Sequence, residues 1–141
     1  MSSLTQFRDQ SGVAMVSKTI SEADVYQFAG MTGDLHPVHV NAAYASERPV
    51  GQRIAHGVLI LGLMSAACTQ WWQREGQDIV SYGWDRVRFT KPVYFGDTIT
   101  ACYLVDPEVP AEGNKHFSRA EAFNQHDEVV AVGHHIAFVT E

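Results

Sequence analysis

The densest group of proton-carrying side chains in the sequence is Asp34, His36 and His39, within the run Gly33-Asp-Leu-His-Pro-Val-His39. A carboxylate and an imidazole five positions apart meet only where the backbone turns, and Gly33 before them with Pro37 between them permits that. Pro37 also disfavours helix at His36 and stiffens the segment. Asp34 with His39 has the makings of a general acid/base pair, because an imidazole titrates near neutrality and a carboxylate can polarise a water or hold an imidazolium. The same residues with His36 make a two-histidine, one-carboxylate metal set. No second Cys, His or acidic cluster supports that set and the proline strains its spacing, so no metal is expected. An exposed Asp-capped turn carrying surface histidines is the unreactive alternative.

The second informative stretch is Ile54-Ala-His56-Gly57, at the head of a long apolar run. Backbone N–H groups at a helix start are unpaired and the dipole there is positive. A glycine at that point lets a ligand approach, which is what an oxyanion site needs; alternatively, Gly57 merely permits close packing. Ser65 lies inside the apolar run, where its hydroxyl bonds back to its own helix or reaches into a site. Of the other histidines, His134 and His135 are neighbours in a strand and point to opposite faces. They and His116 and His126 are expected at the surface or as satisfied core residues.

These groups need elements to hold them. Val13 to Ile20 reads as a first strand, and Ser21-Glu-Ala-Asp24 opens a helix with a capping-box pattern that Gly33 ends. A short helical turn is expected around Asn41 to Ser46. His56 to Trp72 is long enough for a helix and apolar on every face for three turns, which predicts burial nearly all round by a wrapping sheet and a partner subunit. After Gln77 the pattern has period two, with a parity change near Asp85-Arg86 that calls for a bulge. Strands are expected at Thr98 to Val105, His116 to Asn124 and Val129 to Val139. The class is α+β.

The chain has 141 residues, 45% hydrophobic and 18% charged, which fits one packed domain over 1–141 with a loosely ordered segment at 1–12. Its 10 Lys+Arg against 16 Asp+Glu and absence of a basic block exclude nucleic acid as the expected partner. The longest apolar run falls well short of the roughly 20 residues that span a bilayer, and Met1 to Asp9 carries no basic-then-apolar pattern. A cytoplasmic protein off the membrane is expected, with Cys68 and Cys102 as free core thiols.

The blocks Thr32-Gly-Asp-Leu-His-Pro-Val-His-Val-Asn41, Ile54-Ala-His-Gly-Val-Leu59 and Ser65, followed by Arg88-Phe-Thr-Lys-Pro-Val-Tyr-Phe-Gly-Asp97, resemble the hydratase motif of MaoC-like dehydratases and (R)-specific enoyl-CoA hydratases. The resemblance runs from about Lys18 to Thr140. It implies a hot-dog fold, in which an antiparallel sheet wraps a long central helix, and a homodimer or dimer-based assembly. It also implies hydration of a trans-2-enoyl thioester, on coenzyme A or acyl-carrier protein, to the (3R)-hydroxyacyl thioester, in fatty-acid metabolism and with no cofactor. On these positions the catalytic pair is Asp34 and His39 and the oxyanion donor is the Gly57 N–H. Ser65, His56 and His36 are substrate-binding or supporting residues. One position departs: His36 stands where the family has Asn.

Two other functions share such a fold: an acyl-CoA thioesterase and a non-catalytic acyl-binding subunit. Trp71 and Trp72 could close an acyl tunnel, or be plain core. Arg86, Arg88 and Lys91 could meet coenzyme A phosphates, or be solvated strand residues.

Overall fold

The computed structural model describes Phe7 and residues 9–140. Strand β1 (Ala14–Thr19) leads into helix α1 (Glu22–Thr32). The expected capping box starts α1: Ser21 Oγ accepts from the Asp24 N–H at 3.0 Å, and Asp24 Oδ2 accepts from the Ser21 N–H at 2.9 Å. Gly33 ends α1 at φ 80°, a left-handed conformation that suits a residue without Cβ. Two short helices follow, α2 (Pro37–Val40) and α3 (Ala42–Ser46), and then the long helix α4 (Gly57–Arg74). Four strands complete the order: β2 (Ile79–Phe89), β3 (Thr98–Val105), β4 (Lys115–Phe123) and β5 (Val129–Val139).

The five strands form one antiparallel sheet in the order β1-β3-β4-β5-β2. Helix α4 lies across one face, packing mainly on β1 and β3. Its buried side chains are Ile60, Met64, Ala67, Cys68 and Trp72, a stripe at helical spacing. Opposite them stand Ile99, Ala101 and Tyr103 of β3, Ala120 and Ala122 of β4, and Val130, Ala131 and Ala137 of β5. The alanines keep the sheet surface shallow enough for the helix to settle on it. Each large side chain in that stripe contributes about 1.5–3 kcal/mol by leaving water. Neither Cys68 nor Cys102 forms a disulfide and both are buried, as expected.

Burial of α4 nearly all round is not what the chain achieves by itself. Val58 is 59% exposed, and Gly62, Ser65, Ala66 and Thr69 are exposed as well. One sheet covers one side of a helix, and among the described residues these positions stay open to solvent, with α1 bordering Gly62 without burying it. The expected bulge is present: pairing between β2 and β5 shifts register between Asp85 and Arg88, and Arg86 takes φ 53°. Part of the segment expected to be loose is packed. Phe7 is buried on the outer face of the sheet with Cys102, Leu104 and Phe123, and Arg119 donates to Gln10 Oε1 at 3.1 Å. Residues 1–6 and 8, within that expectation, lie outside the described residues.

Three backbone contacts bring the chemistry-bearing segments together. Ile54 N–H donates to the Val38 carbonyl at 3.1 Å, and Ala55 N–H to the Val93 carbonyl at 2.8 Å. The Tyr94–Asp97 turn is tied to β1 through Gly96 N–H on the Ile20 carbonyl at 2.7 Å. The segment before α4 is thus held between α2 and the β2–β3 connection.

Candidate active site

Once Gly33 has ended α1, the chain needs a new helix start within a few residues, and His36 supplies it. Its Nδ1 accepts from the Val38 N–H at 3.1 Å, with Pro37 in the first helical position, where its missing N–H costs nothing. Asn is a preferred cap residue because its side-chain oxygen accepts the same kind of bond. His36 therefore does locally what an Asn does, which accounts for the departure noted in the sequence. The far end of α2 is fixed by the Tyr26 hydroxyl, which donates to the Val40 carbonyl at 3.0 Å.

Helix α2 carries His39. Its Nδ1 lies 2.6 Å from the Ile54 carbonyl oxygen, so Nδ1 bears the hydrogen and donates. Among the described residues no hydrogen bond takes the Nε2 lone pair. Burial is the main cause holding His39 below its ordinary value; the nearby His56 and His36 act in the same direction, and the Ile54 bond and Asp34 oppose them. At neutral pH the ring is a neutral base.

Asp34 sits in an exposed turn, its N–H on Thr32 Oγ1 at 3.2 Å. Its carbonyl accepts from His56 Nε2–H at 2.9 Å. His56 is buried and its ring stacks on His39, with centroids 3.7 Å apart and planes 27° from parallel. One carboxylate oxygen of Asp34 and one ring nitrogen each of His39 and His56 lie within 4.8 Å of one another. The metal set weighed from sequence thus exchanges His36 for His56. Imidazole lone pairs lie in the ring plane, and two stacked rings direct them side by side, whereas one ion needs them to converge at about 2 Å. Asp34, His39 and His56 are thus grouped closely enough for one ion, although stacked rings are an unfavourable start for convergent ligation.

A cavity of about 250 Å³ opens beside His39, lined among others by Gly57, Ile60, Phe89, Lys91 and Val130. Gly57 is the first residue of α4, where the N–H has no acceptor within the helix. Both sequence readings of this glycine hold in part. It stands at the helix start facing the cavity, and a Cβ there would lie 2.5 Å from the Phe89 ring. Lys91, at the rim, is ion-paired with Glu128.

The structure therefore brings Asp34, His39, His56 and Gly57 together, with His36 one step removed as a cap. Ser65 is not brought to this cavity. It lies eight positions beyond Gly57, about 12 Å along the helix, on an exposed face. Phe89 was not visible as a site residue in the sequence; its only signal is an aromatic residue just before the Thr90-Lys-Pro turn. The Ile54 carbonyl left no signal at all, since a backbone acceptor is independent of residue type. His135 is a satisfied core residue and His134 is exposed, as expected.

The model of the MaoC-like domain matches residues 6–119. The chain belongs to the MaoC-like domain family. Within it, this chain is 41% identical over 97 residues to an (R)-specific enoyl-CoA hydratase of Rhodospirillum rubrum, a stretch covering 69% of this chain and 65% of that relative. It is 36% identical over 96 residues to a 3-hydroxybutyryl-CoA dehydratase of Methylorubrum extorquens, covering 68% of this chain and 59% of that one. The chain thus spans slightly less than two thirds of the length of these curated relatives. Among solved structures, the unliganded R-hydratase of Pseudomonas aeruginosa superposes with TM-score 0.78 at 33% identity, over 92% of this chain and 80% of that one. The (R)-hydratase of Aeromonas caviae gives TM-score 0.78 at 26% identity, over 89% and 92%. This MaoC-like domain has the hot-dog fold expected from its sequence.

Proposed function

We propose that this protein is a hydro-lyase that reversibly adds water across the double bond of a trans-2-enoyl thioester, an enoyl-CoA, giving the (3R)-hydroxyacyl thioester. The observation that carries the reading is the tautomer of His39. With Nδ1–H held by the Ile54 carbonyl, Nε2 is a bare base beside a cavity whose wall includes the N-terminus of α4. Relatives named as enoyl-CoA hydratase and hydroxybutyryl-CoA dehydratase support it.

In this reading the thioester carbonyl accepts from the Gly57 N–H and the acyl group lies against Ile60 and Val130. Asp34 and His39 hold one water between them. His39 Nε2 takes a proton from the water as its oxygen bonds to C3, and the π electrons move toward the carbonyl to form an enolate. The helix N-terminus stabilises that charge. The proton on His39 then passes to C2 from the same side, so the elements of water are added and the base is regenerated. No step is routed through a metal or redox cofactor.

The exposed face of α4 and the exposed Val80 and Tyr82 of edge strand β2 support a homodimer. A chain that sediments as a monomer at assay concentration would remove that part. No helix among the described residues is long and apolar enough to cross a membrane. Two buried thiols outside any disulfide support a cytoplasmic setting.

The test follows crotonyl-CoA by loss of enoyl absorbance, with thiol release measured in parallel. Loss of the double bond without thiol, abolished in Asp34→Asn and unchanged after dialysis against a chelator, is the expected result. Thiol release instead would make the protein a thioesterase.

A further inference from the structure

Three contacts converge on His56, a residue that the reaction above does not use. Its side chain is 3% exposed. The Nε2–H holds the Asp34 carbonyl at 2.9 Å, and one ring face stacks on His39 at 3.7 Å. Phe28 of α1 also packs against the imidazole, with centroids 4.7 Å apart and planes 50° from parallel. His56 also occupies the cap position of α4, next to Gly57, yet its side chain makes no cap bond, and its Nδ1 has no hydrogen-bond partner among the described residues. A buried polar atom left unpaired costs about 1–3 kcal/mol, which a phenylalanine in the same space would avoid. Packing alone therefore does not account for an imidazole here.

We infer that His56 is a positioning residue that fixes Asp34 relative to His39 and seats both beside the first turn of α4. The inference rests on the assignment of Asp34 and His39 as the reactive pair. Asp34 lies in an exposed turn outside any helix, and the bond from His56 is what anchors its carbonyl. His39 is held at one end by the Ile54 carbonyl, a single bond that permits the ring to rock; the stacked face of His56 removes that freedom. The same contact contributes to the lowered His39 titration, since burial is its main cause and His56 acts in the same direction.

Two variants separate the two contacts. His56→Gln keeps an N–H donor that can reach the Asp34 carbonyl but removes the ring, and His56→Phe keeps the ring but removes the donor. The His39 titration is followed by NMR on protein with labelled histidine, its signal identified by loss in His39→Ala. Its midpoint should rise in His56→Gln. In His56→Phe, kcat on crotonyl-CoA should fall about tenfold to a hundredfold with KM nearly unchanged, because small misplacements of reacting groups cost rate rather than binding. An unmoved midpoint in the Gln variant, or wild-type kcat in the Phe variant, overturns the inference. A wild-type chain inactive on every enoyl thioester would overturn the hydratase reading, and the midpoint comparison would still decide for His56.

Discussion

His39 and His135 are both held below the ordinary histidine value, and burial is the leading cause for each. Their surroundings use that burial differently. Both His135 nitrogens face side-chain partners, Nε2 with Ser81 Oγ at 2.9 Å and Nδ1 with the Tyr103 hydroxyl at 2.9 Å. The network extends from Tyr103 to Ser118 at 2.7 Å and to the Trp72 indole N–H at 3.1 Å, with the Trp84 ring packed on the imidazole. The hydrogen-bonding capacity of His135 is consumed by Ser81 of β2 and Tyr103 of β3, and Tyr103 carries the network on to Trp72 of α4. At His39 a backbone carbonyl takes Nδ1, and among the described residues no hydrogen bond takes Nε2. A lowered titration alone does not distinguish a reactive histidine from a structural one; the unspent lone pair facing a cavity does.

The sharpest way to break this comparison is to delete each ring. His39→Ala should lower kcat about a thousandfold, within the usual range for losing a general base, and leave the melting temperature nearly unchanged. His135→Ala should do the reverse, costing about 2–4 kcal/mol of stability as a cavity opens and polar partners lose their bonds. Its kcat per folded molecule should stay near that of the wild type. Steady-state kinetics beside thermal melts on both variants decide the matter, and a His135→Ala protein that is folded but inactive would erase the distinction.

Acid titration sharpens it further. His135 is lowered from 6.5 to about 4 in the folded chain. Between those values the unfolded chain binds a proton that the folded chain refuses, so stability is lost as pH falls from about 6.5 toward 4 and is flat above. The loss from this residue is about 3 kcal/mol. Denaturant midpoints measured against pH should show it, and the slope over that window should flatten in a folded His135→Phe protein.

The smallest effect concerns His36. His36→Ala removes the cap of α2 and should cost about 1 kcal/mol, while His36→Asn should keep most of the wild-type stability. Equal losses in the two variants would mean that the Val38 N–H bond is not what His36 contributes.

Much of the fold was legible because its signals are local. The capping box at Ser21, the stop at Gly33 and the alternation that bounds β3 and β5 depend on residues a few positions apart. The exposed face of α4 was not legible in that way. Val58 and Ala66 read as apolar whether the chain's own sheet or another surface covers them, so a hydrophobic pattern states a need for burial without naming what supplies it. In the site, residue types marked Asp34 and His39 as a pair, and Gly57 as a helix start. The Ile54 carbonyl, the stacked His56 ring and the Phe89 ring against Gly57 arise from contacts across 15, 17 and 32 positions of sequence, and no local signal encodes them.

The strand order has a consequence for how the molecule comes into being. β2 leaves the growing chain well before β5, yet among the described residues its strand neighbour in the sheet is β5. During synthesis β2 must therefore wait for its partner until β5 has been made, and Val130 of β5 is also part of the cavity wall. β3 and β4, by contrast, pair as soon as both are out. The segment that carries Asp34, His39 and His56 is made before β5, so a nascent chain acquires the full cavity wall only once β5 has paired.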